Sequence, residues 1–259
     1  MAGRAAAYRV AMPGPASRHY LPADGSPPPD PAPFAGTPAG RPSPLRNRVL
    51  PTGEIVAVPH RGLLMGNRGC LHGTGRELGV TRWRSKMWIS CVLRWGDVRR
   101  DVMPPGRWTA LFFLDEATAL AAGHRPCGYC RWQDHRDLGE AWRRAAGLAE
   151  RPKAARMDTE LHAERVDRRR RKLTRPARLG TLPDGSMVRA GGGISLLAGG
   201  RLLPWSWEGY GAPIPADPAA EVELLTPPSI VAALSAGYQP LVHPSAGPTA
   251  LRRLVPRPG

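Results

Sequence analysis

TALFFLDEATALAAGHRPCGYC, residues 109–130, is the stretch whose reading decides the fold. Thr109 to Leu114 are mostly apolar and include two aromatics, which predicts a short strand. Asp115 stands where a helix N-cap belongs. Gly123 stands where a chain leaves a helix through a left-handed turn, so EATALAA between them predicts about two helical turns. The helix delivers the chain into His124-Arg125-Pro126-Cys127-Gly128-Tyr129-Cys130. Two cysteines at this spacing, directly after a cap and a proline, form a knuckle. Both thiolates turn toward one cation while backbone amides hydrogen-bond the sulfurs.

A knuckle of this kind holds zinc and needs two more ligands. Cys70, in a glycine-rich turn, and Cys91, in KMWISCVLRW, are the other cysteines of the chain. The first expectation is therefore a site of Cys70, Cys91, Cys127 and Cys130. A mixed site in which one histidine replaces a cysteine comes second, with His72 as the alternate ligand and His124 and His135 as further nitrogen donors. Two plainer readings stand beside it. Cys91 reads equally as a small buried hydrophobe, and Cys127 with Cys130 as a redox dithiol, although the βαβ pattern of such proteins does not precede them.

The segment ALFFLDEATALAAGHRPCGYCR resembles the second half of the metal-binding domain of Ada-type DNA alkylation-repair proteins. Phe112, Phe113, Ala117, Ala122, Gly123, Arg125, Pro126, Cys127 and Cys130 carry the likeness. It implies a zinc-stapled unit that contacts DNA backbone, with Arg125 on phosphate. The first ligand pair of that family is three residues apart, whereas Cys70 precedes Cys91 by 21 positions. Methyl transfer therefore does not follow from the resemblance.

Outward from this stretch, the chain reads as an α+β protein. Residues 1–45 are rich in Pro, Ala and Gly and predict a disordered tail. In the central region, 46–146, VLPTGEIVAV predicts strands about a Pro-Thr-Gly turn, and RGLLMGNRGCLHG predicts a loop. KMWISCVLRW, Lys86 to Trp95, and TALFFL read as strands joined through the Pro104-Pro105-Gly106 turn. A second helix runs from Trp132 to Ala146 with Leu138, Ala141, Trp142 and Ala145 on one face. Residues 147–178 form a linker and a charged helix or helix-loop that opens into a basic arm. Residues 179–247 carry Pro-Asp-Gly and Gly-Gly turns, the mark of a small β-meander, and end in a proline-initiated helix. Residues 248–259 read as a second disordered tail. TALAAGHRP and AALSAGYQP echo one another as a short helix, a glycine cap and an exit through Xaa-Pro.

With 37 Lys and Arg against 21 Asp and Glu, the formal net charge is +16. Most of the excess is arginine, which suits phosphate, so a polyanionic partner follows. A base composition that raises Arg, Ala, Gly and Pro together would leave the same mark. No run of about 18 apolar residues and no signal-like start is present, and a cytoplasmic protein is expected.

Asp158, Glu160, His162 and Glu164 alternate ionisable side chains. On an extended segment they would line one face, as in metal-dependent nucleases, with His162, Glu160 and Glu164 as catalytic groups. On a helix they form a solvated face. His162-Ala163-Glu164 also matches the HxE of zinc deaminases, but it follows Pro126-Cys127-Gly128-Tyr129-Cys130 instead of preceding it. Arg165, Arg168, Arg169, Arg170, Arg171, Lys172 and Arg175 then form the densest basic run, suited to nucleic-acid phosphates. The sequence thus points to a zinc-containing nucleic-acid-binding protein, with DNA favoured over RNA. A metal-dependent enzyme on nucleic acid and a zinc-stabilised module for an acidic protein partner are the alternatives.

Overall fold

The computed structural model describes residues 44–95, 102–248 and 251–253, and is α+β. The two stretches read as tails lie outside these residues, apart from Pro44 and Leu45 at one end, and Pro248 and residues 251–253 at the other.

The N-terminal sheet is built from β1 (Arg48–Val49), β2 (Ile55–Val56), β3 (Leu64–Asn67), β4 (Ile89–Val92), β5 (Leu111–Phe113) and β6 (Arg125–Pro126). Its order is β2-β1-β5-β3-β4-β6. The Pro-Thr-Gly turn closes β1 on β2 as expected, with Gly53 at φ 82°. The expected loop RGLLMGNRGCLHG instead contains β3, which lies between β4 and β5 and pairs antiparallel with both. β4 and β5 are therefore not neighbours. Gly66 explains why a glycine-rich stretch can be a central strand. A Cβ there would collide with the Ile89 carbonyl and press on the Phe113 ring, so only a hydrogen fits between the strands.

Helix α1 (Glu116–Ala121) follows β5, and all six of its residues are buried. Asp115 caps it by accepting from the Thr118 amide, and Gly123 leaves it at φ 87°. A helix this short is marginal alone; it is held because every face is covered. Ala117 and Ala121 pack on the C-terminal sheet, Leu120 on the other helices, and Ala119 and Ala122 on the N-terminal sheet. Its alanines are the side chains small enough for three layers to close on one helix.

α2 (Trp132–Ala145) and α3 (Ala154–Arg165) follow. Leu138, Ala141 and Trp142 of α2 are buried as expected, whereas Ala145 is exposed. α3 starts at Ala154, inside the stretch 147–157 expected as linker, because Met157 and Leu161 enter a core with Leu120, Leu138 and Trp142. It stops at Arg165, and an antiparallel bridge between Val166 and Lys172 turns the chain back.

The C-terminal sheet contains β7 (Arg175–Arg178), β8 (Met187–Ala190), β9 (Gly193–Ala198), β10 (Arg201–Ser206), β11 (Gly209–Tyr210), β12 (Ile214–Pro215) and β13 (Glu221–Leu224). β8 to β11 form the expected meander, with β12 also on β10 and β13 between β8 and β7. α4 (Pro228–Ser235), β14 (Leu241–Val242) and β15 (Arg252–Arg253) complete the chain. The two echoing segments share one cap. Gly123 and Gly237 each donate to the leucine three residues back, and His124 and Tyr238 to the alanine five back.

Two buried carboxylates at the start of α1, the cap Asp115 and Glu116, bind the C-terminal half. Asp115 Oδ1 accepts from the Thr118 amide and hydroxyl at 2.9 and 2.8 Å. Its Oδ2 accepts from the Tyr210 hydroxyl at 2.7 Å and the His243 amide at 3.0 Å. Glu116 accepts from the Tyr238 hydroxyl at 2.6 Å and the Leu241 amide at 2.8 Å, and pairs with Arg131 at 2.8 Å.

Candidate metal centre and cationic cluster

β4 carries Cys91 on the edge of the sheet that β6 joins, and the cap at Gly123 sends the chain along that edge before it turns at Pro126. The Cys127 amide donates to the Ser90 carbonyl at 2.9 Å, which fixes the knuckle beside β4. As a result Cys91, Cys127 and Cys130 place their sulfurs within 4.8 Å of one another. These three could hold a metal ion. Thiolates arranged tetrahedrally on zinc at about 2.3 Å lie about 3.8 Å apart, a spacing this cluster can adopt.

The sulfurs sit in a thiolate-stabilising frame. The Tyr129 amide donates to Cys127 Sγ at 3.4 Å. Hydrogen bonds from the neighbouring thiols and from the Tyr129 and Cys130 amides pull Cys127 down to about 2. Sharing of protons with Cys127 pushes Cys130 up to about 11, while hydrogen bonds to both partners and burial push Cys91 up as well. The three thiols thus share one negative charge, and a bound cation would favour ionisation of the other two.

Cys70 is not in this group. It lies in the turn after β3, its thiol near the His72 carbonyl at 3.7 Å, on the wall of an open cleft of about 500 Å³. The fourth ligand expected from it, and the alternate expected from His72, are therefore not assembled among the described residues. His72 joins two loops: Nε2 meets the Pro104 carbonyl at 3.1 Å and so carries the hydrogen, leaving Nδ1 to accept from Thr109 Oγ1 at 2.7 Å. His124 faces away into another cluster. His135 lies nearest the knuckle, its ring against Gly128, but outside the three-thiol group.

The alternating acids do not converge. Asp158 is bound to Arg125 through two hydrogen bonds of 2.8 and 2.7 Å. Glu160 pairs with exposed Arg156, Glu164 accepts from the Ser229 amide at 3.0 Å at the start of α4, and His162 turns toward Trp83 and Trp88. On a helix these side chains point around the axis, so His162, Glu160 and Glu164 do not meet as one catalytic set. The same geometry corrects Arg125: it is 3% exposed and committed to Asp158, leaving no face for a phosphate.

A second cluster was not legible in the sequence. Trp88, buried, is flanked by Arg68 and Arg165, whose guanidinium carbons lie 4.1 and 3.9 Å from its ring centroid. Arg68 Nε donates to His124 Nε2 at 3.2 Å, and its Nη1 to the Gly53 carbonyl at 3.0 Å. Arg165 donates to the Gly123 and Lys86 carbonyls, each at 2.7 Å, and to His162 Nδ1 at 3.1 Å. The Lys172 ammonium donates to the Ala121 carbonyl at the end of α1. Thus two members of the expected basic arm, Arg165 and Lys172, point inward, and the arm folds against the central region. Burial pulls Arg68 and Arg165 down to about 9 and Lys172 to about 7, aided at Arg68 by Arg165 and Arg82 and at Lys172 by Arg68 and Arg165, while at Arg165 the attraction of Asp158 opposes it and Arg125 adds to it.

A pH dependence follows. Lys172 drops from 10.5 to about 7 on folding, so the unfolded chain binds its proton more tightly between those limits. Stability contributed by this group is complete above the upper limit and lost as pH falls through about 7. Arg68, Arg165 and His124 interact with it electrostatically, and none supplies a negative charge. Between pH 7 and 9, denaturant unfolding of the parent is expected to show rising stability, with a flatter profile in Lys172→Met.

Compared with protein-family models, with curated proteins and with solved structures, the chain matches none.

Proposed function

We propose that this chain is a nucleic-acid-binding protein, DNA favoured, in which Cys91, Cys127 and Cys130 hold a structural zinc beside the binding face. One observation carries the reading. Two basic stretches far apart in sequence, Arg82 to Lys86 and Arg165 to Lys172, meet around Trp83. The Arg170 guanidinium carbon lies 5.6 Å from the Trp83 ring centroid and the His162 ring 5.3 Å from it. Arg82, Arg84, Lys86, Arg168, Arg169 and Arg170 are exposed. Val80 and Met87, 90% and 50% exposed, place apolar surface in the same loop. Cations interleaved with a half-buried tryptophan and apolar side chains suit a phosphate backbone with unstacked bases. The Ada-like segment adds the zinc and the DNA preference, with phosphate contact moved from Arg125 to this loop and arm.

Replacing Arg168, Arg169 and Arg170 together by Gln tests the reading. The parent should bind short duplex and single-stranded DNA with affinity that falls steeply as salt rises. The variant should lose at least tenfold in affinity, and its salt slope should shrink by about 2 to 3. Fluorescence anisotropy across a salt series measures both. An unchanged slope, or binding of acidic peptides alone, would favour an acidic protein partner instead.

A further inference from the structure

We propose that Arg68, His124, Arg165 and Lys172, gathered around Trp88, form a binding site for a tetrahedral oxyanion, specifically a phosphate group. The cluster is short of hydrogen-bond acceptors. Arg68 Nε donates to His124 Nε2, so that nitrogen is unprotonated and His124 carries its hydrogen on Nδ1. A guanidinium only donates; by the same reasoning His162, accepting from Arg165 on Nδ1, carries its hydrogen on Nε2. Three buried donors then have no partner: Arg68 Nη2, Arg165 Nε and His124 Nδ1. These residues are 3%, 0% and 0% exposed.

Charge agrees with the donor count. Two guanidiniums, Arg68 and Arg165, are enclosed together with the Lys172 amine at their edge, and the acid that acts on Arg165, Asp158, already holds Arg125 with both oxygens. Buried charge without a counterion is costly, and buried N–H groups without acceptors are rare in folded proteins. A phosphate group supplies both missing elements, several acceptor oxygens and negative charge, and the guanidinium carbons of Arg68 and Arg165 are held 4.1 and 3.9 Å from the indole centroid. Trp83, His162 and Lys172, each half-buried, form the outer edge, and His162 Nε2–H adds a donor there.

The phosphate group bound here would be either free or part of a nucleic-acid backbone; the second source rests on the reading proposed above, the first does not. The test titrates the whole protein with inorganic phosphate and, separately, with a short single-stranded DNA, comparing the parent with Lys172→Met and Arg168→Gln/Arg169→Gln/Arg170→Gln. Lys172→Met removes a cation crowded by like charges, so the variant should fold without loss of melting temperature in phosphate-free chloride buffer. Inorganic phosphate at millimolar concentration should raise the melting temperature of the parent, and Lys172→Met should weaken that binding about tenfold, as loss of one charge-assisted hydrogen bond does. Competition between phosphate and DNA would support the site as a backbone-phosphate subsite, and phosphate binding without competition would support it as a site for the free anion. If phosphate leaves the melting temperature of the parent unchanged, and Lys172→Met binds DNA as the parent does, the proposal is overturned. In that case DNA binding lost only in the triple-arginine variant would still leave the nucleic-acid reading intact. If Lys172→Met melts lower without phosphate, Lys172 is structural, and a parallel Arg68→Gln titration decides: unaltered phosphate binding there overturns the site.

Discussion

With the proposed zinc on Cys91, Cys127 and Cys130, Cys127→Ser is expected to abolish metal binding and to lower the stability of the protein by on the order of 5 kcal/mol. The substitution changes one atom at a half-buried position, so little of the effect can come from packing. What it removes is a ligand that joins the knuckle to Cys91 on β4. Structural zinc supplies roughly 10 kcal/mol or more in peptides that have no other core. Here Met65, Met103, Ala110 and Phe112 pack with the cysteines and retain part of the fold, so the loss should be smaller than that limit. Elemental analysis of the reduced protein, together with melts before and after chelation, measures the effect. The chelated parent should melt like Cys127→Ser. A parent whose melting temperature ignores chelation would remove the structural role of the metal and leave a cluster of three thiols.

Asp115→Ala should destabilise the chain by about 4 kcal/mol or more, a large share of the roughly 5–15 kcal/mol that stabilises a typical domain. Four donors converge on this fully buried carboxylate, two from Thr118, one from Tyr210 and one from His243. Each donor left in the interior without an acceptor costs about 1–3 kcal/mol, with some relief from local rearrangement. Two of the donors come from the C-terminal half, so the loss should loosen its packing as well as the cap of α1. Trp205, whose Nε1 donates to Thr118 Oγ1 at 3.0 Å, reports that change through its fluorescence. Asp115→Asn retains one acceptor oxygen but sets an amide against the remaining donors, and should fall between the parent and the alanine variant. If Asp115→Ala unfolds at the parental denaturant midpoint, the carboxylate is not the clamp that its geometry describes.

The parts of the fold legible in the sequence are those set by local rules. Asp115 and Gly123 mark the ends of α1 because an N-cap acceptor and a left-handed exit are requirements of a few adjacent residues. The meander was readable because glycine pairs place its turns. β3 was not readable, since Gly66 looks like a loop residue until Ile89 and Phe113 close on either side of it. The early start of α3 was hidden for a related reason: Met157 and Leu161 acquire their apolar partners only when α2 and α4 arrive.

The site divides along the same line. By itself the sequence determined the knuckle, because the spacing of Cys127 and Cys130 after Pro126 is short-range geometry, and it determined the excess of positive charge. Tertiary structure chose Cys91 over Cys70 as the third sulfur, since strand order places β4, and not the turn after β3, against β6. It also took Arg125 out of the set expected to contact phosphate by giving it Asp158, and drew Arg165 inward onto Trp88 and Lys172 onto the Ala121 carbonyl. A guanidinium has the same composition on a surface and in a core. What separates an exposed contact from a buried, acceptor-poor cluster is which distant backbone carbonyls, rings and acids the fold brings to it.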